Sequence, residues 1–294
     1  MLLVISKEMR QWSFQLLRFI GLWFFYVGVF SVILLIGFAV VNIDVKTRLD
    51  SLDTNFLVVF QIPILIGTIL LGKATNNSLS LKDFRIPQIL QGLIIGFLLM
   101  FVFVVIQLVL GTTNFSWNGF HLEIGICLSL FILVAINEEL LFRHLFFSHL
   151  CKRFNIKYSI IICSLIFSLI HLGNDNFNWV GFVTIFLFGV LMSLFYIKYS
   201  NLSVPIASHF AWNFFQGPVF GYPVSGLQVK SIFSADIAGH NFYLNGGNFG
   251  AEGSILVVLI IIIFIYMISK HAGFSDIRYT SANTGISLLP KKLQ

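Results

Sequence analysis

Eight apolar stretches of membrane-crossing length follow one another along this chain, near residues 19–42, 55–72, 88–110, 123–147, 157–173, 179–197, 203–220 and 253–269. The hydrocarbon of a bilayer offers no water to bare amide groups, so each stretch must satisfy its own backbone. About 20 apolar residues at about 1.5 Å each make one helical crossing. Composition agrees, with 57% hydrophobic and 10% charged residues against about 25% charged in a soluble domain. The expected fold is an all-α polytopic membrane helical bundle of about eight transmembrane helices. No internal repeat or low-complexity linker divides it, so 1–294 reads as a single membrane domain. The stretch at 203–220 is short and polar, carrying His209, Asn213 and Gln216.

Basic residues set the expected orientation. Of the 18 Lys and Arg residues, only Lys46, Arg48 and Lys230 fall outside if the N-terminus is cytoplasmic, and Arg143 lies within a crossing. The rest, from Lys7, Arg10 and Arg18 to Lys291 and Lys292, gather on the inner side. The positive-inside rule therefore places both termini in the cytoplasm. The formal net charge of +6 is read as an orientation device, with no basic-aromatic element that points to nucleic acid. No cleavage pattern follows the first stretch, which reads as a retained anchor of a multi-pass cell-membrane protein. Cys127, Cys151 and Cys163 have neither disulfide nor metal-site spacing and read as packing residues.

One crossing carries charge it does not need for spanning: Asn137, Glu138, Glu139 and Arg143 stand inside 123–147. Each ionised group at mid-bilayer costs about 2.5–3.5 kcal/mol on insertion scales, so such a cluster reads by default as a functional site. Glu139 and Arg143, four residues apart, share a helix face, while Glu138 points about 100° away. Arg143 is expected to neutralise Glu139 and leave Glu138 free to face a cavity as a general acid or base. A Glu139–Arg143 pair that merely orders the bundle is the competing reading. His171 ends the run Phe167-Ser-Leu-Ile-His171, and His209 and Asn213 form a second pair four apart. Those two can donate jointly to an oxyanion or serve as a polar helix–helix contact. On the helical rise Glu138 lies about 18 Å from an inner boundary, His171 about 21 Å, and His209 only about 9–12 Å. His121, His144, His149, His240 and His271 fall near expected helix ends or in loops and read as solvated.

No His-Glu-x-x-His helix and no Gly-x-Ser-x-Gly elbow is present, and Asp175 sits in a short turn. The segment 218–252, glycine-bearing and with Phe220, Tyr222, Phe233, Phe242 and Tyr243, reads as an external lid or interfacial element, or as a mobile connector. The tail from 271 reads as flexible.

Glu138-Glu139-x-x-x-Arg143, Phe167-x-x-x-His171 and His209-x-x-x-Asn213, in this order on membrane helices, resemble the three motifs of the CPBP (Abi, or CAAX-protease) intramembrane proteases. Leu202-Ser-Val-Pro-Ile-Ala-Ser-His209 also looks like the family's approach to its last motif, and the resemblance covers about 123–220, a catalytic core within the domain. It implies hydrolysis of peptide bonds in membrane-associated peptides or proteins. Glu138 would activate water with His171, His209 and Asn213 would stabilise the oxyanion, and Glu139 and Arg143 would support the site. Glu138, His171 and His209 would be the ligands if the enzyme used zinc; Asn213 one turn from His209 favours a metal-free, glutamate-dependent hydrolase. The family also contains bacteriocin-immunity proteins, so a non-catalytic immunity or scaffold protein binding a partner in the same cavity is the alternative. A proton-carrying transporter is disfavoured by the lack of a repeat. The expected partners are the lipid bilayer and a membrane-bound or hydrophobic peptide substrate.

Overall fold

The computed structural model describes residues 7–40, 43–50, 53–79, 84–237, 241–272, 277–282 and 285–290. Its long helices stand where the apolar stretches are. They are α1 (Lys7–Val40), a short α2 (Val45–Asp50), α3 (Thr54–Ala74) and α4 (Ile86–Leu110). A strand β1 (Asn114–Trp117) precedes α5 (Glu123–Glu139), which runs through a π-helical segment, Leu140–Phe146, into α6 (Phe147–Cys151). Then come α7 (Ile156–Leu169), α8 (Trp179–Tyr199) and α9 (Ser203–Phe214). Among the described residues six helical units are long and apolar enough to cross a membrane: α1, α3, α4, α5 through α6, α7 with its following turn, and α8. The chain is a multi-pass membrane protein. The last two expected crossings are occupied by α9, which is too short to cross alone, and by α11 (Ile255–Ala272).

Local chemistry sets the helix ends. Asn155 accepts from the amide of Tyr158 at 3.1 Å and Asn178 from that of Gly181 at 2.8 Å, capping α7 and α8. Ser200, in the left-handed region at φ +53°, ends α8 and turns the chain into α9 within three residues. Asn201, Leu202 and Ser203 are buried, and Ser203 accepts from the Arg85 amide at the start of α4 at 3.0 Å. The first residues of α9 are therefore already inside the protein.

Close packing then fixes α9 against α4. A Cβ added to Gly96 would lie 2.3 Å from the Ser208 carbonyl oxygen and 2.7 Å from Ala211 Cβ; one at Gly92 would lie 2.7 Å from Ala207 Cβ. Two glycines four apart against Ala207, Ser208 and Ala211 let the backbones approach as larger residues would not, the usual device where lipid offers no hydrophobic drive. His209 and Asn213 ride on this helix.

The segment after α9 is ordered, unlike a bare connector. A second π-helical segment, Phe215–Val219, is followed by β2 (Phe233–Asp236), which pairs antiparallel with β1, Asn114 opposite Asp236. A short α10 (Phe242–Asn245) and two 3-10 turns, Gly247–Phe249 and Ala251–Gly253, lead into α11. Tyr222 is buried in the core, whereas Phe242 and Tyr243 are exposed, so the interfacial role expected for its aromatics divides between them. The tail, expected to be flexible, pairs β3 (Ile277–Ala282) with β4 (Gly285–Pro290). The architecture is thus mostly helical, with two small antiparallel pairs that hydrophobic periodicity did not announce.

Candidate active site

The structure groups the sequence-predicted residues around Glu139. Its Oε1 is 3.1 Å from Arg143 Nη1 and 2.8 Å from His209 Nδ1, and the side chains of Glu139 and Arg143 are wholly buried. Arg143 also directs Nη2 toward the Gly189 carbonyl at 3.4 Å and lies with Cζ 4.3 Å above the Phe167 ring. The pair expected along one helix is in fact a trio across two, with a cation–π contact to a third. Between a carboxylate and the rest of the site, His209 Nδ1 is the donor, which directs Nε2 toward Glu138, 3.8 Å from its Oε2.

Glu138 is the partly open member of the set, its side chain 26% exposed. With His171, His209 and Asn213 it lines one cavity of about 490 Å³. His171 sits in the turn Ile170–Gly173 that closes α7, and its Nδ1 is 2.7 Å from the Phe167 carbonyl. A carbonyl only accepts, so Nδ1 carries the proton and a neutral His171 presents the lone pair of Nε2. The helical rise placed His209 shallower than Glu138, yet it touches Glu139. The depth of Glu138 is counted from residue 150, whereas His144 already meets the Asn77 carbonyl just beyond the end of α3, so Glu138 lies shallower than that count.

Both short motifs are followed by π-helical segments, Leu140–Phe146 after the glutamates and Phe215–Val219 after Asn213. Such widened turns cluster at functional sites. Asn137, the remaining polar group of this crossing, bonds α3 by donating to Gln61 Oε1 at 2.8 Å, and Gln61 lines the cavity. Among the described residues no three His, Cys, Asp or Glu side chains come close enough together to hold a metal ion.

Other expectations need correction. His144 is buried, 3.2 Å from Tyr196 Oη and from the Asn77 carbonyl, because the π-helical segment turns it inward. His149 is half-buried and stacks on Phe19. His121 is exposed; His240 and the side chain of His271 lie outside the described residues. The three cysteines are free and buried.

Sequence reasoning missed Glu252, Thr184, Asn174 and Ser225, which also line the cavity. Glu252 is buried and accepts from Gln216 Nε2 and from Ser225 Oγ at 3.2 Å. Burial raises its carboxyl above the ordinary range, and the hydrogen bonds from Gln216 and Ser225 offset part of that. The available signal was a lone carboxylate among Gly246, Gly247, Gly250 and Gly253, just before an apolar stretch.

Residues 120–215 match the family model described as Rce1-like, Type II CAAX prenyl endopeptidase. The match supports the resemblance of this region to the CPBP, or CAAX-protease, family. The match covers about a third of the chain, from the turn before α5 through the end of α9, and so contains all three motifs. No curated protein and no solved structure matches the chain. The match supports CAAX-type intramembrane endopeptidase activity in general terms.

Proposed function

We propose that this protein is an endopeptidase that hydrolyses peptide bonds of membrane-bound or membrane-partitioned peptides, with Glu138 as the water-activating group. The observation that carries the reading is that Glu138, His171, His209 and Asn213, from three separate helical units, line one cavity. The 3.8 Å between Glu138 Oε2 and His209 Nε2 is beyond a hydrogen bond and is the kind of gap a water or a substrate oxygen bridges.

Water held between Glu138 and His171 gives up a proton to the carboxylate as its oxygen attacks the scissile carbonyl carbon. The carbonyl oxygen gains the charge and accepts hydrogen bonds from Asn213 Nδ2 and from His209 Nε2. Because Nδ1–H is committed to Glu139, an Nε2–H donor requires the imidazolium, for which Glu139 is the counter-charge. Collapse of the intermediate breaks the C–N bond, and the proton held by Glu138 passes to the leaving amine. A carboxylic acid and an amine result. Arg143 pairs with Glu139 at 3.1 Å and holds it against His209, so Glu139 and Arg143 act as positioning residues.

The test is cleavage of a quenched fluorescent peptide library by the purified protein in detergent, against Glu138→Ala, each with and without a zinc chelator. Cleavage that vanishes in the variant and survives the chelator is expected. Chelator-sensitive cleavage would move the mechanism to a metal. Silence of a well-folded wild type, with the cellular effect intact in Glu138→Ala, would make the protein a partner-binding relative.

A further inference from the structure

The cavity does not end at the catalytic groups. It continues past the His171 turn to Asn174 and Asp175 and is closed there by Ser225 and Glu252, from the segment that follows the matched region. This far end is built. Asn174 Nδ2 donates to the Ser225 carbonyl at 3.0 Å, and the Gly226 amide to the Phe249 carbonyl at 2.9 Å, tying the turn after α7 to the segment before α11.

Two independent features of this cavity lack a counterpart. Glu252 is 5% exposed, and the groups it bonds, Gln216 and Ser225, are neutral; among the described residues no cation pairs with it. Glu138 and Asp175 add two more carboxylates to the lining, to which no Lys or Arg contributes. A buried carboxylate without a counter-charge is costly, so the empty site favours the protonated carboxyl and a cation bound there stabilises the ionised form. Separately, Thr184 on α8 lines the same cavity at 1% exposure, and its Oγ1 has no hydrogen-bond partner. An unmet buried hydroxyl is an open position for a ligand atom.

We propose that this end of the cavity is a specificity subsite for a cationic nitrogen of the substrate, an ammonium or guanidinium. Glu252 supplies its counter-charge, Asp175 attracts it at the rim, and Thr184 Oγ1 accepts one of its hydrogens. The nitrogen belongs to a Lys or Arg side chain or to a free peptide amino terminus, since both present the same charge and donors. That the ligand is a peptide rests on the peptidase reading above; that the site takes a cation does not.

Binding separates the two. Full-length protein carrying Glu138→Gln, to prevent turnover, is titrated in lipid nanodiscs with fluorescent apolar peptides read by anisotropy. One set is N-acetylated with Lys scanned through each position; the second has norleucine in its place; the third has norleucine and a free amino terminus. At one Lys position, or for the free amino terminus, affinity is expected to exceed that of the acetylated norleucine peptide by about 10-fold, the scale of one charge-assisted hydrogen bond. Which set gains identifies the source. Adding Glu252→Gln should erase the gain. Asp175→Asn, at an exposed rim position, should reduce it about 2–5-fold through the lost field. Equal affinity across the three sets, or no binding by any, overturns the subsite. Wild type that binds with cation preference yet cleaves nothing overturns the peptidase reading alone, and cleavage indifferent to the cation overturns the subsite alone.

Discussion

Replacing Glu139 by Gln keeps the shape of the side chain and its acceptor for His209 Nδ1 but removes the negative charge that faces Arg143 at 3.1 Å. Arg143 is wholly buried, and Glu139 is the one carboxylate paired with it among the described residues. Breaking a buried pair from one side costs about 3–5 kcal/mol, because the remaining charge stays desolvated. The Phe167 ring at 4.3 Å faces the guanidinium in both proteins and so does not offset the loss. The expected loss is therefore about 3–5 kcal/mol. Equilibrium unfolding in mixed micelles, followed by helicity, measures it. The double variant Glu139→Leu, Arg143→Met should recover to within about 1 kcal/mol of wild type, since neither charge is then buried alone. It should nevertheless be inactive, because His209 has lost its orienting carboxylate. A Glu139→Gln protein within about 0.5 kcal/mol of wild type, the range of an ordinary surface change, would refute the reasoning. So would a double variant no more stable than the single.

Glu138→Gln should lower the cleavage rate about 10²–10⁴-fold, the usual contribution of a general base, while unfolding in the same assay stays close to wild type because this side chain is partly open; a parallel loss of folded protein would make the carboxylate structural. Gly96→Leu should separate α4 from α9 and cost about 1–3 kcal/mol or more, seen as lower yield and a lower unfolding midpoint. Gly125→Ala, with nothing within 4 Å of the added Cβ, should change neither. The carboxyl of Glu252 is raised by burial, so its folded form holds a proton more tightly than the unfolded chain does. Its contribution to stability is full below the ordinary glutamate range and is lost as pH rises through the raised value. Stability of wild type relative to Glu252→Gln should accordingly fall as pH rises above the ordinary glutamate range in ligand-free protein, and a flat difference would show the carboxyl to be ordinary.

The sequence by itself determined that the chain crosses a membrane as helices, because apolar stretches of that length leave the backbone no other partner. It also singled out Glu138, Glu139, Arg143, His171, His209 and Asn213, since charge and imidazole in such stretches are too costly to be incidental. The family's motifs are contiguous turns of single helices, and turns are legible from spacing. Tertiary structure decided how the turns meet. Helical rise misplaced His209 relative to Glu138, because their relative depth follows from contacts between distant segments, Gly92 and Gly96 of α4 on α9 and His144 on Asn77. It also misread His144, turned inward by a π-helical segment that periodicity of 3.6 does not encode. Glu252 stayed invisible for the same reason. A carboxylate in a glycine-rich connection looks solvated until its Gln216 and Ser225 partners, and the cavity it closes, are brought to it by contacts that no local pattern records.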